Sequence, residues 1–350
     1  MKYVLFLVCC IAFAFECTAQ SNFKNLVFEG GGVRGIAYAG VIQALEDEQA
    51  LQGIERTAGT SSGSVAALMV ALGYTASEID SIMFAVSYES FNDGGGFFIG
   101  GIRRLKKSYG WYRGNEIETW IGKLIESKTG NPNITFEQLH ALRLTDKRLK
   151  DVFVTGTNIT TQKAEIFSYV HTPSFPVKTA VRISCSIPLY FEPVYIDSSG
   201  TVVKKRLPGV NYNVYADGGV LANFPISIFD SCVNGTNPLM CEELIYNNQT
   251  LGLKLDRPEQ IEQQKKSGEP APYNTTTFTN YLNAFVGLMI EAANRRNFHA
   301  EKGRTIYIST ANLSAKVRKV SKEEKQLLFN NGCTATLDFF NSLKETGAQR

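Results

Sequence analysis

The chain has 350 residues, of which 44% are apolar and 20% charged, with a net charge of +3. That apolar share can fill a folded core, and it excludes disordered, fibrous and disulfide-scaffold classes. Charges of both signs are interspersed and nearly balanced, which argues against a surface built to grip a nucleic acid backbone.

Lys2 is followed by an apolar run over residues 3–15, broken at Glu16 and ending in Cys17-Thr18-Ala19. One positive charge, a short greasy stretch and a small-x-small exit read as a secretory signal peptide over residues 1–19. At about 13 residues the run falls short of the roughly 20 that a bilayer-spanning helix needs. The expected location is periplasmic or secreted. Export permits disulfides. Cys185, Cys232, Cys241 and Cys333 would survive cleavage after Ala19. Cys232 and Cys241 bracket a Gly/Asn/Pro-containing loop and could pair; scattered buried thiols are the other reading. No Cys or His spacing suits zinc, so no metal site is expected.

Asn25-Leu26-Val27-Phe28 reads as a short buried strand, followed by glycines and a helix over residues 36 to about 48, with Ala37, Val41, Ile42 and Leu45 on one face. A second short strand near residues 54–58 runs into Gly59-Thr60-Ser61-Ser62-Gly63 and a small-residue helix ending at Gly73. Another helix covers residues 77 to about 86. Residues 91–110 read as glycine-rich and irregular, and Asn115 is the expected cap of an amphipathic helix carrying Ile117, Trp120, Ile121, Leu124 and Ile125. Paired strands are expected at 151–155 and 164–168, a short helix at 176–184, and a strand at 212–216 that delivers Asp217-Gly218-Gly219. Residues 251–255 form a late strand, and the polar stretch 257–277, with three prolines, reads as a surface loop. A helical pair at about 278–300 and 321–345 flanks the strand-like Thr305-Ile306-Tyr307-Ile308. The alternation predicts an α/β fold: a three-layer sandwich with a largely parallel central sheet and helices on both faces. The expected division is a catalytic domain over 20–256 and a C-terminal helical extension over 257–350 packed on it.

Gly59-x-Ser61-x-Gly63 sits between a strand and a helix. A nucleophilic serine on such a sharp turn is forced outward, and glycines two residues to either side tolerate the crowding. The helix start adds partial positive charge near a developing oxyanion. A serine-rich helix cap is the bland alternative. Gly30-Gly31-Gly32-Val33-Arg34-Gly35 matches the dinucleotide pattern Gly-x-Gly-x-x-Gly, but that reading wants an acidic residue closing the second strand, and Glu55 lies before it. Glycine amides at a helix start can instead donate to an oxyanion.

A serine needs a base. In a Ser-acid-His order only His299, of the three histidines His140, His171 and His299, follows Asp217. Asp217, flanked by glycines at a strand end, offers a different route, because a desolvated carboxylate bonded directly to Ser61 can take its proton. An Asx turn is the plain reading of that aspartate.

The three pieces in this order, with Ser184-Cys185-Ser186-Ile187-Pro188-Leu189-Tyr190-Phe191-Glu192-Pro193 and Val220-Leu221-Ala222-Asn223-Phe224-Pro225, resemble the patatin-like phospholipase family from about residue 26 to 255. The resemblance implies an acyl hydrolase with a Ser–Asp dyad, no metal and no cofactor. It makes Ser61 the nucleophile and Asp217 the base, with an oxyanion hole from the amides of Gly30, Gly31, Gly32 and Ser62. Glu29 stands where the family often has Asp, and Cys185 where a small residue is usual. The expected function is therefore an exported lipid acyl hydrolase of phospholipase A or lysophospholipase type. Rivals are a small-ester or thioester hydrolase and a non-catalytic lipid-binding module.

Arg34 either anchors the glycine loop or faces an anionic head group. Phe97 and Phe98, beside Arg103, Arg104, Lys106 and Lys107, are candidates for contact with acyl lipid at a membrane surface.

Overall fold

In the computed structural model, which describes residues 22–203, 209–267, 269–277, 280, 281, 284, 285, 287, 288, 301 and 303–347, strand β1 (Asn25–Phe28) is buried at every position. A strand covered on both faces must be apolar throughout. Leu26 and Phe28 enter a large core on one face, and Val27 enters a smaller core on the other. The expected signal peptide and His299 lie outside the described residues.

The remaining strands are β2 (Arg56–Gly59), β3 (Gly110–Tyr112), β4 (Asp151–Asn158), β5 (Lys163–Phe167), β6 (Leu189–Phe191) and β7 (Val194–Asp197). After them come β8 (Val202–Val203), β9 (Tyr212–Asp217), β10 (Ser231–Cys232), β11 (Leu244–Ile245), β12 (Thr250–Asp256) and β13 (Thr305–Ser309). The main sheet runs β13-β12-β1-β2-β4 with every neighbour parallel, and β5, β9, β7 and β8 complete it antiparallel. The central sheet is thus mixed and mostly parallel, with helices around it.

The larger core is built from α1 (Ala37–Asp47), α2 (Ser62–Ala71), α3 (Ala76–Ala85), α5 (Asn115–Thr129), α6 (Phe136–Thr145), α7 (Val177–Ser184) and the last helix, which with α4 (Phe97–Ser108), α8 (Gly219–Ala222) and α9 (Pro258–Lys266) is α10 (Lys322–Gly347). The smaller core lies under Ala222 of α8 and the turn Ile226–Phe229. Helices α1 and α10 touch backbone to backbone. A Cβ added at Gly40 would lie 1.9 Å from the Phe329 carbonyl oxygen, and one at Gly332 would lie 2.1 Å from that of Ala37. Residue 256 ends β12, which pairs with β13, so the sequence after it contributes a strand to the main sheet as well as helices.

The registers on β4 place the site. Val154 pairs with Gly59 of β2 on one side and with Phe167 of β5 on the other. Gly156 pairs with Glu165 of β5 and with Asp217 of β9. Strands β2 and β9 therefore share one edge of β4, end to end, and Asp217 occupies the slot two residues beyond Gly59. That is where Ser61 would lie if β2 ran on.

Three local expectations change. Residues 97–108, read as irregular, form helix α4. Its glycines let Trp111 pack directly over Gly101, where a Cβ would come within 2.4 Å of the ring. Arg104 fixes the turn, donating from Nε to the Trp111 carbonyl at 2.8 Å and from a terminal nitrogen to that of Gly95 at 2.7 Å. Helix α5 is capped by Asp93 rather than Asn115, its carboxylate accepting the N–H groups of Gly114, Asn115 and Glu116 at 2.6, 2.6 and 3.2 Å. The 257–277 stretch begins with α9, with Pro258 in its first turn, a position where a missing N–H costs nothing. Cys232 and Cys241 are disulfide-bonded.

Candidate active site

Ser61 holds φ 52° and ψ −128°, a conformation outside the regions open to ordinary L-residues, at the start of α2. The flanking glycines make the turn possible. A Cβ at Gly59 would meet the Gly63 carbonyl oxygen at 2.3 Å, and one at Gly63 would meet that of Glu29 at 2.4 Å. The Ser61 N–H donates to Ser184 Oγ at 2.9 Å.

Asp217 arrives from the opposite direction and is buried beside Ser61. Its carboxylate accepts the Gly219 N–H at 2.7 Å, and the Ser61 side chain lies close enough to act on it. Burial pushes its pKa up to about 7, against the lowering effect of the Gly219 N–H and the Ser61 hydroxyl. The structure thus brings together the serine and the aspartate picked out in the sequence. The two histidines among the described residues are bonded elsewhere. His140 meets Asp151 at 2.7 Å, at the far end of β4, and stacks on Tyr169, while His171 meets Ser168 at 2.8 Å.

The glycine loop packs beside Ser61, for a Cβ on Gly30 would lie 3.2 Å from that of Ser61. Its amides are not equivalent. Gly30, expected among the oxyanion donors, gives its N–H to the Asn223 carbonyl at 3.0 Å, and Gly31 gives its own to Ser62 Oγ at 3.0 Å. Among the described residues the N–H groups of Gly32 and Ser62 have no such partner. Arg34 does not line the cavity at Ser61; its Nε and its backbone N–H both donate to the Gly31 carbonyl at 3.2 Å. In a trans peptide the C=O and N–H point opposite ways, so holding the Gly31 carbonyl turns the Gly32 N–H away from Arg34. Arg34 is an anchor of the loop, through a carbonyl.

A cavity with about 580 Å³ of empty space, its open mouth included, reaches Ser61 and Ser62. Apart from these its walls are almost wholly apolar: Val65 of α2, Met83 of α3, Ile117 and Trp120 of α5, Phe191 of β6, and Val317 among them. Phe98 and Ile99 lie outside the cavity on the exposed face of α4, 61% and 82% exposed, and Phe97 opens that helix.

Comparison with known proteins agrees with this geometry. A family model for patatin-like phospholipases matches residues 26–230. The chain belongs to the patatin-like phospholipase family. It is 37% identical over 210 residues to the uncharacterized protein YqhO of Bacillus subtilis, covering 58% of this chain and 65% of that one. It is 27% identical over 213 residues to the probable lipid hydrolase 463L of Invertebrate iridescent virus 6, covering 59% and 63%. The matches thus span less than two thirds of those relatives' own length. The crystal structure of VipD from Legionella pneumophila shares the fold, with a TM-score of 0.57 at 18% identity over 92% of this chain and 67% of that one.

Glu29 and Cys185, noted in the sequence beside the glycine loop and the Ser184–Pro193 stretch, are both buried near Ser61. The Glu29 side chain reaches across to β12, where Oε2 accepts the Leu255 N–H at 2.7 Å, while Oε1 accepts from Asn223 Nδ2 at 3.2 Å. Burial pushes the Glu29 pKa up to about 8, against the pull of Lys254. Cys185 is buried on the cavity wall, and burial pushes its thiol up to about 12. Sequence reasoning missed the residues that hold the dyad. Ser184 holds the Ser61 N–H, and the Ser186 carbonyl accepts the Asp217 N–H at 2.9 Å. Arg182 is buried, bonded to Ser186 Oγ and to the carbonyls of Gly114, Arg113 and Glu192 at 2.7, 2.7 and 2.8 Å. An arginine set between apolar Val181 and Ile183, two and four residues before Ser184 and Ser186, was the available signal.

Three outcomes follow. Asp217→Asn lowers kcat for an ester by about 10³-fold or more without lowering the melting temperature, since ionised Asp217 opposes folding as pH rises from the ordinary carboxylate range to about 7. With Asp217 as the expected base, kcat/KM in the wild type falls as pH drops below about 7, because the carboxylate must be ionised to take a proton; a profile flat from pH 5 to 8 contradicts that role. Arg34→Ala lowers kcat on an uncharged ester by about tenfold or more with little change in KM, as expected for a lost oxyanion-loop support.

Proposed function

We propose that the chain is an exported lipid acyl hydrolase of phospholipase A or lysophospholipase type, acting through Ser61 and Asp217. The observation that carries this reading is the apolar cavity open to the Ser61 turn, which suits an acyl chain and offers little to a polar substrate. The name of the iridescent virus relative, a probable lipid hydrolase, supports it.

Asp217 takes the Ser61 proton as Oγ attacks the ester carbonyl, and the oxyanion accepts from the N–H groups of Gly32 and Ser62. Collapse expels the alcohol, which leaves with the proton held by Asp217, and the acyl group stays on Ser61. Asp217 then takes a proton from water, whose oxygen attacks the acyl carbon; Ser61 leaves with that proton and the fatty acid is released. An aspartate near pKa 7 is a far better proton acceptor than one near 4.

Export rests on the N-terminal signal pattern and is supported by the Cys232–Cys241 disulfide, a bond that persists in oxidising compartments. For membrane contact the candidate is α4. Phe98 and Ile99 are exposed at its start, and Arg103 and Lys106 are exposed farther along. Arg104 is turned inward, so the solvated basic face is smaller than the sequence suggests. Leu189 of β6, paired with β3 just after α4, is 66% exposed and extends the apolar rim.

Incubating the mature protein with mixed phospholipids should release free fatty acid, and a fluorophosphonate should label Ser61 alone. Labelling without hydrolysis of any lipid, but with turnover of short esters, would favour a small-ester hydrolase; neither would favour a lipid-binding module. Phe98→Ser/Ile99→Ser should weaken binding to anionic vesicles severalfold, and unchanged binding removes the docking role of α4.

A further inference from the structure

One wall of the cavity comes from outside the stretch that the family model matches. Residues 310–320, which join β13 to α10, cross the glycine loop as an irregular strap. Its residues alternate: Leu313, Ala315 and Val317 are partly buried, while Asn312, Ser314 and Lys316 are exposed. The Ala315 carbonyl lies directly on Gly32, where a Cβ would come within 1.9 Å of its oxygen, and accepts the Val33 N–H at 3.4 Å. Two residues on, Val317 lines the cavity together with Gly32, Ser61 and Ser62, and its carbonyl accepts from the Tyr190 hydroxyl at 3.5 Å.

The strap is held firmly at its ends. The Thr310 N–H and hydroxyl both donate to the Asp256 carbonyl, at 2.8 and 3.0 Å. At the other end Arg318 pairs with Glu324 through two bonds of 2.9 and 2.8 Å, and Ser321 and Glu324 cap α10 reciprocally. Asn312 Nδ2 also donates to Glu259 Oε1 at 2.9 Å, whereas the two bonds made by Ala315 and Val317, at 3.4 and 3.5 Å, are long. The walls formed by Val65 and Ile117 belong to helices of the central core, where a change of volume disturbs packing on every side. Val317 is only partly buried against that core, on a segment whose neighbour Lys316 is in solvent, so a change in its side chain disturbs fewer neighbours and alters the cavity.

We propose that Val317 is a specificity-determining residue that limits the acyl-chain length this cavity accepts. The proposal rests on the reading of the cavity as an acyl site. A larger side chain at 317 shortens the space available to the chain, and a smaller one extends it. A methylene gained or lost in an apolar pocket alters discrimination by tenfold or more in favourable cases.

The test compares kcat/KM for butyryl and palmitoyl esters of one alcohol in the wild type, Val317→Phe, Val317→Ala and Lys316→Ala. The palmitoyl-to-butyryl ratio should fall about tenfold in Val317→Phe, move the other way in Val317→Ala, and stay at the wild-type value in Lys316→Ala. Ratios within about twofold of wild type in both Val317 variants overturn the proposal, as does an equal shift in Lys316→Ala. Should Val317→Phe fail to fold, Val317→Leu takes its place in the same comparison. A wild type that hydrolyses neither ester overturns the acyl-hydrolase reading itself, whereas an active wild type with unchanged ratios in the variants overturns only the role of Val317.

Discussion

Everything at this site depends on two strands ending head to head along one edge of β4. Strand β2 stops at Gly59, opposite Val154, and β9 comes from the other direction to put Asp217 opposite Gly156. Because ladder partners are fixed to the residue, a slip of β9 by one position would turn Asp217 to the opposite face of the sheet. The strained Ser61 turn exists because β2 must leave the sheet where β9 enters. Thr155 fills the junction, with its Oγ1 2.6 Å from that of Thr60 and close against Gly218.

The meeting point is dry, and that gives the carboxylates their chemistry. Asp217 and Glu29 are both buried, with pKa values near 7 and 8, yet their surroundings assign them different work. Asp217 has one oxygen on the Gly219 N–H and the Ser61 hydroxyl within reach. Glu29 spends its oxygens on Leu255 and Asn223, tying the glycine loop to β12 and to the segment after Asp217. Asn223 closes the circuit, since it also exchanges hydrogen bonds with the Gly30 backbone in both directions. The C-terminal end of α7 joins the backbones of Ser61 and Asp217 from below, through the Ser184 hydroxyl and the Ser186 carbonyl, and Arg182 holds Ser186 in place. Ser61, Asp217 and the glycine loop are thus tied into one hydrogen-bonded unit.

The part of the chain beyond the family match is woven into this unit. Strand β12 lies beside β1 and supplies the Leu255 N–H for Glu29, α10 packs backbone to backbone on α1, and the strap at 310–320 covers Gly32. A division at residue 256 separates neighbouring strands of one sheet.

Much of this was legible in the sequence. A buried strand such as β1 is apolar because both faces are covered, and a serine or aspartate set between glycines marks a tight approach of backbones; both are local signals, written in adjacent residues. Hence the α/β fold and the two turns at Ser61 and Asp217 could be read from the sequence, while the Cys232–Cys241 pair stood there as one of two open readings. Helix α4 could not, since its glycines look like loop until Trp111 packs over Gly101, and neither could the cap of α5, because Asp93 lies outside the helix it caps. Nor could the sequence decide which amides of the glycine loop stay open, that Arg34 turns to the Gly31 carbonyl, or that residues 310–320 wall the cavity. Those outcomes depend on partners distant in the chain, Asn223 for Gly30 and Ser62 for Gly31, and a hydrogen bond between distant residues leaves no periodicity in the sequence of either.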